Sequence, residues 1–164
     1  MYKTKQITEE QAYAKLAAFC AAAEHCESEL WKKLTQWGIS TSASGDIIRR
    51  LLKENYINDI RYGNCFVRDK FKYNKWGRIK IKQALVQKGL SASVIEQSLE
   101  EIDEQAYEEL LLDLLKKKST LIKAGSDYER RCKLMRFGAG RGFEQGVISR
   151  CLSRLGCSDT DYFE

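Results

Sequence analysis

Three stretches decide the fold. They are Trp31-Lys32-Lys33-Leu34-Thr35-Gln36-Trp37-Gly38-Ile39, Lys82-Gln83-Ala84-Leu85-Val86-Gln87-Lys88-Gly89-Leu90 and Met135-Arg136-Phe137-Gly138-Ala139-Gly140-Arg141-Gly142-Phe143. Each is an amphipathic run, then Gly, then one apolar residue. The anchoring glycines stand 51 and 53 residues apart. Gly just past a helix allows the left-handed turn that ends it, so each stretch reads as a helix followed by a second one. Repetition at this period points to tandem helical units.

Composition agrees. The chain of 164 residues contains no proline, so no helix interior is broken by one. Apolar residues make up 43%, enough for packed cores. Strand-like alternation is scarce. The expected fold is all-α, an elongated curved tandem array of three three-helix repeats. Repeat 1 covers 9–55, repeat 2 covers 56–102 and repeat 3 covers 103–155, with a polar tail at 156–164. The last helix of each repeat opens on an apolar pair: Ile47-Ile48, Val94-Ile95 and Val147-Ile148.

Local signals place the elements. Thr8-Glu9-Glu10-Gln11 reads as a capping box opening a helix to about Ala23. His25-Cys26 reads as a turn. Ser40 to Gly45 reads as a loop, with Asp46 or Ser44 capping a helix whose Ile47, Ile48, Leu51 and Leu52 face inward. Asp59 is expected to cap the next helix, and a break is expected around Tyr73–Gly77. Ser91 or Ser93 caps a helix carrying Val94, Ile95, Leu99 and Ile102. An acidic helix follows over 103–118, then a looser segment over Ser119–Ser126. In the helix over 127–140, Gly138 and Gly140 each cost about 1 kcal/mol relative to Ala, which predicts a short or bent element.

Charge is unevenly spread. Residues 61–90 hold nine Lys/Arg and one Asp, whereas 96–113 hold eight acids and no base. The basic middle interleaves Arg68, Lys70, Lys72, Lys75, Arg78, Lys80, Lys82 and Lys88 with Phe71, Tyr73 and Trp76. Cations attract phosphates or an acidic protein groove, and aromatic rings stack on bases or anchor an interface. This segment is therefore the expected binding surface. Phe71 is expected in the core, and Trp76 stays open between wedge and core packing. Arg49 and Arg50 could extend the surface, and Arg136 and Arg141 belong to a second, weaker basic set. A solvated helix face is the competing reading for both.

Enzyme chemistry finds no support. The single His excludes a convincing Ser-His-Asp set. Cys20, His25 and Cys26 offer three metal ligands where zinc takes four. They read as structural, and no cofactor or metal is expected. Gly138-Ala139-Gly140-Arg141-Gly142 lacks the preceding strand and the Lys-Ser/Thr ending of a phosphate loop. No apolar run reaches 18 residues, and no hydrophobic signal core follows Met1-Tyr2-Lys3-Thr4-Lys5. A cytoplasmic protein is expected, with its cysteines as free thiols.

The segment Tyr56-Ile57-Asn58-Asp59-Ile60-Arg61-Tyr62-Gly63-Asn64-Cys65-Phe66-Val67-Arg68 resembles the hallmark of the RecX regulators of the RecA recombinase. Trp76-Gly77, Lys80-Ile81, Leu85 and Lys88-Gly89-Leu90 are similar to the family's continuation. Leu134-Met135-Arg136-Phe137 and Arg141-Gly142-Phe143 resemble its third unit. Arg78 stands where the family often has Pro, and Ala84 where it favours Glu. The resemblance implies a monomeric, non-catalytic helical regulator. Such a protein binds RecA and its filament on single-stranded DNA and mainly inhibits ATPase, strand-exchange and co-protease activities. Charge reversal at Arg78, Lys80 and Lys82 is then expected to weaken inhibition. The alternative is a helix-turn-helix-like nucleic-acid-binding module, with direct DNA binding. A helical scaffold for another partner is a third class.

Overall fold

The structure is a computed structural model that describes residues 6–157. Met1–Lys5 and most of the expected polar tail, 158–164, lie outside the described residues. Among the described residues there are nine α-helices and no strand: α1 (Glu9–Ala22), α2 (Glu27–Gln36), α3 (Thr41–Lys53), α4 (Asp59–Lys72), α5 (Arg78–Gln87), α6 (Ala92–Leu99), α7 (Glu104–Leu121), α8 (Asp127–Gly140) and α9 (Gln145–Arg154).

The three anchoring glycines end the middle helix of each trio with one geometry. Gly38, Gly89 and Gly142 have φ of 74°, 83° and 92°. In each case the following apolar residue reaches back five positions. The N–H of Ile39 donates to the Leu34 carbonyl at 3.0 Å, that of Leu90 to Leu85 at 3.3 Å and that of Phe143 to Gly138 at 3.1 Å. This is a Schellman closure, which satisfies a terminal carbonyl and tucks the apolar residue against the helix just finished. Leu90 and Phe143 are buried, and Ile39 packs on the core around α1–α3.

Some boundaries differ from expectation. The Ser40–Gly45 stretch is helical: the Ser40 hydroxyl accepts the Ala43 N–H at 3.2 Å and is the N-cap of α3. Ala43 and Ser44 are buried, so packing draws this turn into the helix. Leu52 is 43% exposed, because Ile47, Ile48 and Leu51 already fill the inward stripe. Asn58, not Asp59, caps α4, its side-chain oxygen accepting the Arg61 N–H at 2.9 Å. Helix α7 runs on to Leu121, beyond the expected 118. Helix α8 is unbroken through Gly138, whose missing side chain makes room for Ile148: a β-carbon there would lie 2.9 Å from Ile148 Cδ1. The capping box at Thr8 is present in full, with both reciprocal bonds to Gln11.

The chain forms two compact units. One comprises the chain up to Phe66 together with Leu85–Ser98; the other comprises Val67–Ala84 together with the chain from Leu99 onward. The first has a core of Ala12, Leu16, Cys20, Leu30, Leu34, Ile47, Ile48, Leu51 and Ile57. In the second, α7, α8 and α9 pack on one another and bury Tyr107, Leu111, Leu115, Leu134, Phe143, Val147, Ile148, Cys151 and Leu152. Each fully buried aliphatic side chain contributes about 1.5–3 kcal/mol. Helix α4 passes from the first unit to the second after Phe66, and α5 passes back after Ala84.

Candidate functional site

The basic middle of the sequence becomes the end of α4, a turn and the start of α5. All of this belongs to the second unit. Helix α4 stops at Lys72, and Lys75 takes a left-handed φ of 56°. A non-glycine residue there is uncommon and persists only where its surroundings hold it. Three backbone bonds do so. The Trp76 N–H donates to the Lys70 carbonyl at 3.1 Å, the Gly77 N–H to Arg141 at 2.8 Å and the Ile79 N–H to Gly142 at 2.9 Å. The Arg141 guanidinium closes the same seam by donating to the Asn74 carbonyl at 2.7 Å. The turn is thus stitched to the α8–α9 connection, on the Schellman turn that ends α8.

On this fixed turn the Trp76 ring is flanked by two ammonium groups. Lys70 Nζ lies 5.0 Å and Lys80 Nζ 4.8 Å from its centroid. Both are within cation–π range. Tyr73, 70% exposed, carries Lys72 Nζ at 5.3 Å. Arg68, Lys72 and Lys82 are exposed, while Lys70, Lys75, Trp76 and Lys80 are half-buried. Phe71 is half-buried and stacks on Tyr107, their centroids 6.0 Å apart.

Arg78 sits differently. Its side chain is only 20% exposed and pairs with Glu104 at 2.5 Å and Glu144 at 3.5 Å. Its guanidinium carbon lies 3.9 Å from the Tyr107 centroid. Its backbone N–H donates to the Tyr107 hydroxyl at 3.0 Å, and that hydroxyl donates to Glu144 at 2.7 Å. Burial, with the Glu144 carboxylate acting in the same direction against the Arg78 N–H, pushes the Tyr107 phenol well above its usual value of 10. It therefore stays a donor throughout the physiological range. The Arg78 charge is spent inside the unit.

The remaining candidate residues are dispersed. Lys88 belongs to the first unit and pairs with Glu29 at 2.9 Å. Arg50 lies over the Tyr13 ring at 3.6 Å and pairs with Glu10 at 3.3 Å and Glu54 at 3.2 Å. Arg49 pairs with Asp46. Arg136, exposed on α8, borders a groove with Lys118, Ile122, Lys123, Lys133 and Phe137. His25 stacks on Phe19 with centroids 3.6 Å apart and bonds Glu29 at 2.8 Å, so its ring serves packing and a carboxylate. No group of three His, Cys, Asp or Glu among the described residues could hold a metal. No helix among them is long and apolar enough to cross a membrane.

Sequence reasoning missed the partners that hold the turn. Asn74 and Gly142 contribute through their carbonyls, which no side-chain pattern announces. Gly77 and the lone Tyr107 of the acidic helix were the available signals.

Two family models match the chain. The second three-helix domain of RecX covers residues 58–99, and the third covers 105–152. A Regulatory protein RecX from Chlorobium phaeobacteroides (strain BS1) is 31% identical over 132 residues, spanning 80% of this chain and 85% of the relative. The chain belongs to the RecX family of regulatory proteins. A second RecX relative, from Clostridium beijerinckii, is 30% identical over 139 residues, 84% of this chain. The match spans 64% of that relative's length, under two thirds, and 58% of that of a Clostridium botulinum (strain Alaska E43 / Type E3) RecX. The crystal structure of RecX from Lactobacillus salivarius shares the fold with a TM-score of 0.83 at 21% identity, covering 90% of this chain and 96% of that one. A second RecX crystal structure gives 0.81 at 23% identity, covering 88% and 71%. The stitched turn joins the two matched RecX domains, Gly77 and Ile79 of the second bonding to Arg141 and Gly142 of the third.

Proposed function

We propose that this RecX-family chain binds the RecA recombinase and its filament on single-stranded DNA. It mainly inhibits RecA's ATPase, strand-exchange and co-protease activities. It acts as a monomer in the cytoplasm, by occupancy rather than by catalysis. Family membership supports the regulatory role. The observation on this chain that carries the contact face is Trp76 set between Lys70 and Lys80 on a backbone-fixed turn. A rigid aromatic anchor between cations suits an acidic lobe of a filament protomer or the phosphates of its bound strand. Lys72, Lys75 and Lys82 enlarge the cationic face, and Arg78 supports it from beneath. Tandem helical units offer several modest contacts whose linkage gives avidity without a deep pocket. A body so placed in the filament groove excludes the second DNA strand and hinders protomer movement.

The test is RecA ATPase on single-stranded DNA with the protein titrated in. A dose-dependent fall in rate is expected. An unchanged rate at saturation, together with tight, sequence-selective binding to naked DNA, would transfer the function to nucleic-acid recognition alone.

A further inference from the structure

The second unit carries a groove that the α4–α5 turn does not use. The last turn of α7, the linker after it and α8 enclose about 450 Å³ lined by Lys118, Ile122, Lys123, Lys133, Arg136 and Phe137. The lining contains four cations, one aliphatic side chain, one aromatic ring and no carboxylate. Lys133 is a structural strut: its ammonium donates to the Lys123 carbonyl at 2.7 Å and pairs with Glu129 at 3.0 Å. Glu129 in turn accepts the Gly125 N–H at 2.9 Å, so its charge is consumed by the linker and by Lys133. Lys118, Lys123 and Arg136 have no carboxylate partner among the described residues. Three cations of the lining are therefore left to pair with an anionic occupant.

The apolar floor narrows what that occupant can be. Lys118 Nζ stands over the Phe137 ring, 5.3 Å from its centroid. Phe137 and Ile122 are both half-buried. The ammonium competes with any nucleic-acid base for the face of the ring, and strand recognition rests on stacking against that face. A large apolar side chain has no such need. It packs against a ring edge and an aliphatic neighbour, and an aromatic one meets Phe137 edge to face. The three cations call for carboxylates on either side of such an anchor. An acidic peptide segment carrying one large apolar residue supplies both parts. Protein partners are commonly held in this way, by one apolar anchor in a recess with charged contacts around it.

We propose that this groove docks an acidic segment of a partner protein. One large apolar side chain of the segment seats on Phe137 and Ile122, and its carboxylates pair with Lys118, Lys123 and Arg136. The site is separate from the α4–α5 turn, and its test contains no RecA, so the two readings fail independently. The experiment measures fluorescence anisotropy of a labelled peptide as the full chain is titrated in. The peptide has three aspartates on either side of one phenylalanine. The comparison probes are the same peptide with glycine in place of phenylalanine, and a labelled oligothymidylate. The variants are Lys123→Glu with Arg136→Glu, both exposed, and Ile122→Ser. Lys32→Glu with Lys53→Glu, exposed in the first unit, changes net charge equally and serves as control. Thermal unfolding establishes that each variant is folded.

The wild type should bind the phenylalanine peptide about fivefold or more tightly than the glycine peptide. Reversal of Lys123 and Arg136 should weaken the phenylalanine peptide about tenfold or more, while the control reversal leaves it within about twofold. Ile122→Ser should bring the two peptides to within about twofold of each other, because it removes the surface that tells them apart. Should that variant not fold, the wild type's preference between the peptides and the two charge reversals still decide. No binding of the phenylalanine peptide, equal affinity for both peptides, or an equal loss in the control reversal overturns the proposal. So does an Ile122→Ser loss as large for oligothymidylate as for the peptide, which would make the groove a strand site.

Discussion

Gly77 and Gly142 meet backbone to backbone. A β-carbon on Gly77 would stand 2.3 Å from the Gly142 carbonyl carbon, and one on Gly142 would stand 2.3 Å from Lys80 Cβ. The obstructing atoms at Gly77 are main chain, so no rotamer change relieves them. Gly77→Ala must therefore push the α4–α5 turn off the α8–α9 connection and lengthen the bonds to Arg141 and Gly142. Overpacking of this kind costs about 1–3 kcal/mol. The unfolding midpoint should fall by about 2–12 °C. RecA inhibition should weaken with it, because Trp76 and Lys80 ride on the same turn. Thermal unfolding followed by circular dichroism decides the matter; an unaltered midpoint would mean that the turn can separate at no cost.

Gly138 and Gly140 separate propensity from packing. Helix propensity alone favours Ala at both, by up to about 1 kcal/mol. At Gly140 nothing lies within 4 Å of an added β-carbon, so Gly140→Ala should stabilise. At Gly138 the added carbon meets Ile148 Cδ1 and Cγ1 at 2.9 Å. Ile148 is fully buried and stiff at its first torsion, so it cannot yield cheaply. Gly138→Ala should destabilise by about 1–2 kcal/mol despite its better propensity. Denaturant titration of the two variants should show midpoint shifts of opposite sign. Shifts of the same sign would remove the packing explanation for Gly138.

Much of the fold was legible in the sequence because it is local. The capping box at Thr8, the Schellman glycines and the apolar pairs Ile47-Ile48 and Val147-Ile148 depend on residues a few positions apart. What could not be read depends on chain segments that meet only after folding. Arg78 looked like one more cation of a basic run. Its carboxylates, Glu104 and Glu144, lie 26 and 66 positions away in the chain. Ser40–Gly45 has a loop's composition, yet burial of Ala43 and Ser44 makes it helical. The groove around Phe137 went unseen for a related reason. Lys118 and Lys123 read as the end of one helix and the linker after it, until α8 folds back beside them.

Position on one basic run does not give Arg78, Lys80 and Lys82 one role. Reversing Arg78 sets a third carboxylate beside Glu104 and Glu144 and removes the stack on Tyr107. Breaking such a partly buried pair costs about 1–3 kcal/mol. Arg78→Glu should therefore lower the unfolding midpoint, and any weakening of inhibition should follow from that. Lys80→Glu with Lys82→Glu should lower the midpoint by no more than about 4 °C, since what is lost is the cation–π contact of half-buried Lys80 with Trp76, about 0.5–1 kcal/mol. The same pair should raise the concentration needed for half-inhibition of RecA ATPase several-fold. Full inhibition by the Lys80/Lys82 pair would displace the contact face from this turn.

Glu29 gives the first unit a dependence on pH. Burial alone would raise its carboxyl, but hydrogen bonds from Lys88 and His25, and their charges, outweigh this and hold it below its usual value of 4.5. Lys88 is held above its usual 10.5 by the hydrogen bond to Glu29, against burial. A depressed carboxyl stabilises the fold fully above its unfolded value, and loses that contribution as pH falls through the folded value. A raised amine does so below its unfolded value and loses it as pH climbs through the folded one. The pair is therefore fully formed between about pH 5 and pH 10. Lys88→Met keeps most of the stem and removes the charge. Across that window it should cost about 0.5–1 kcal/mol, as expected for a pair still partly in water. As pH falls below about 4.5 the wild type should lose its advantage and the two unfolding curves should converge. Urea titrations of both proteins over a pH series test this. A difference that persists undiminished in acid would assign the effect of Lys88 to packing of its stem rather than to its pairing with Glu29.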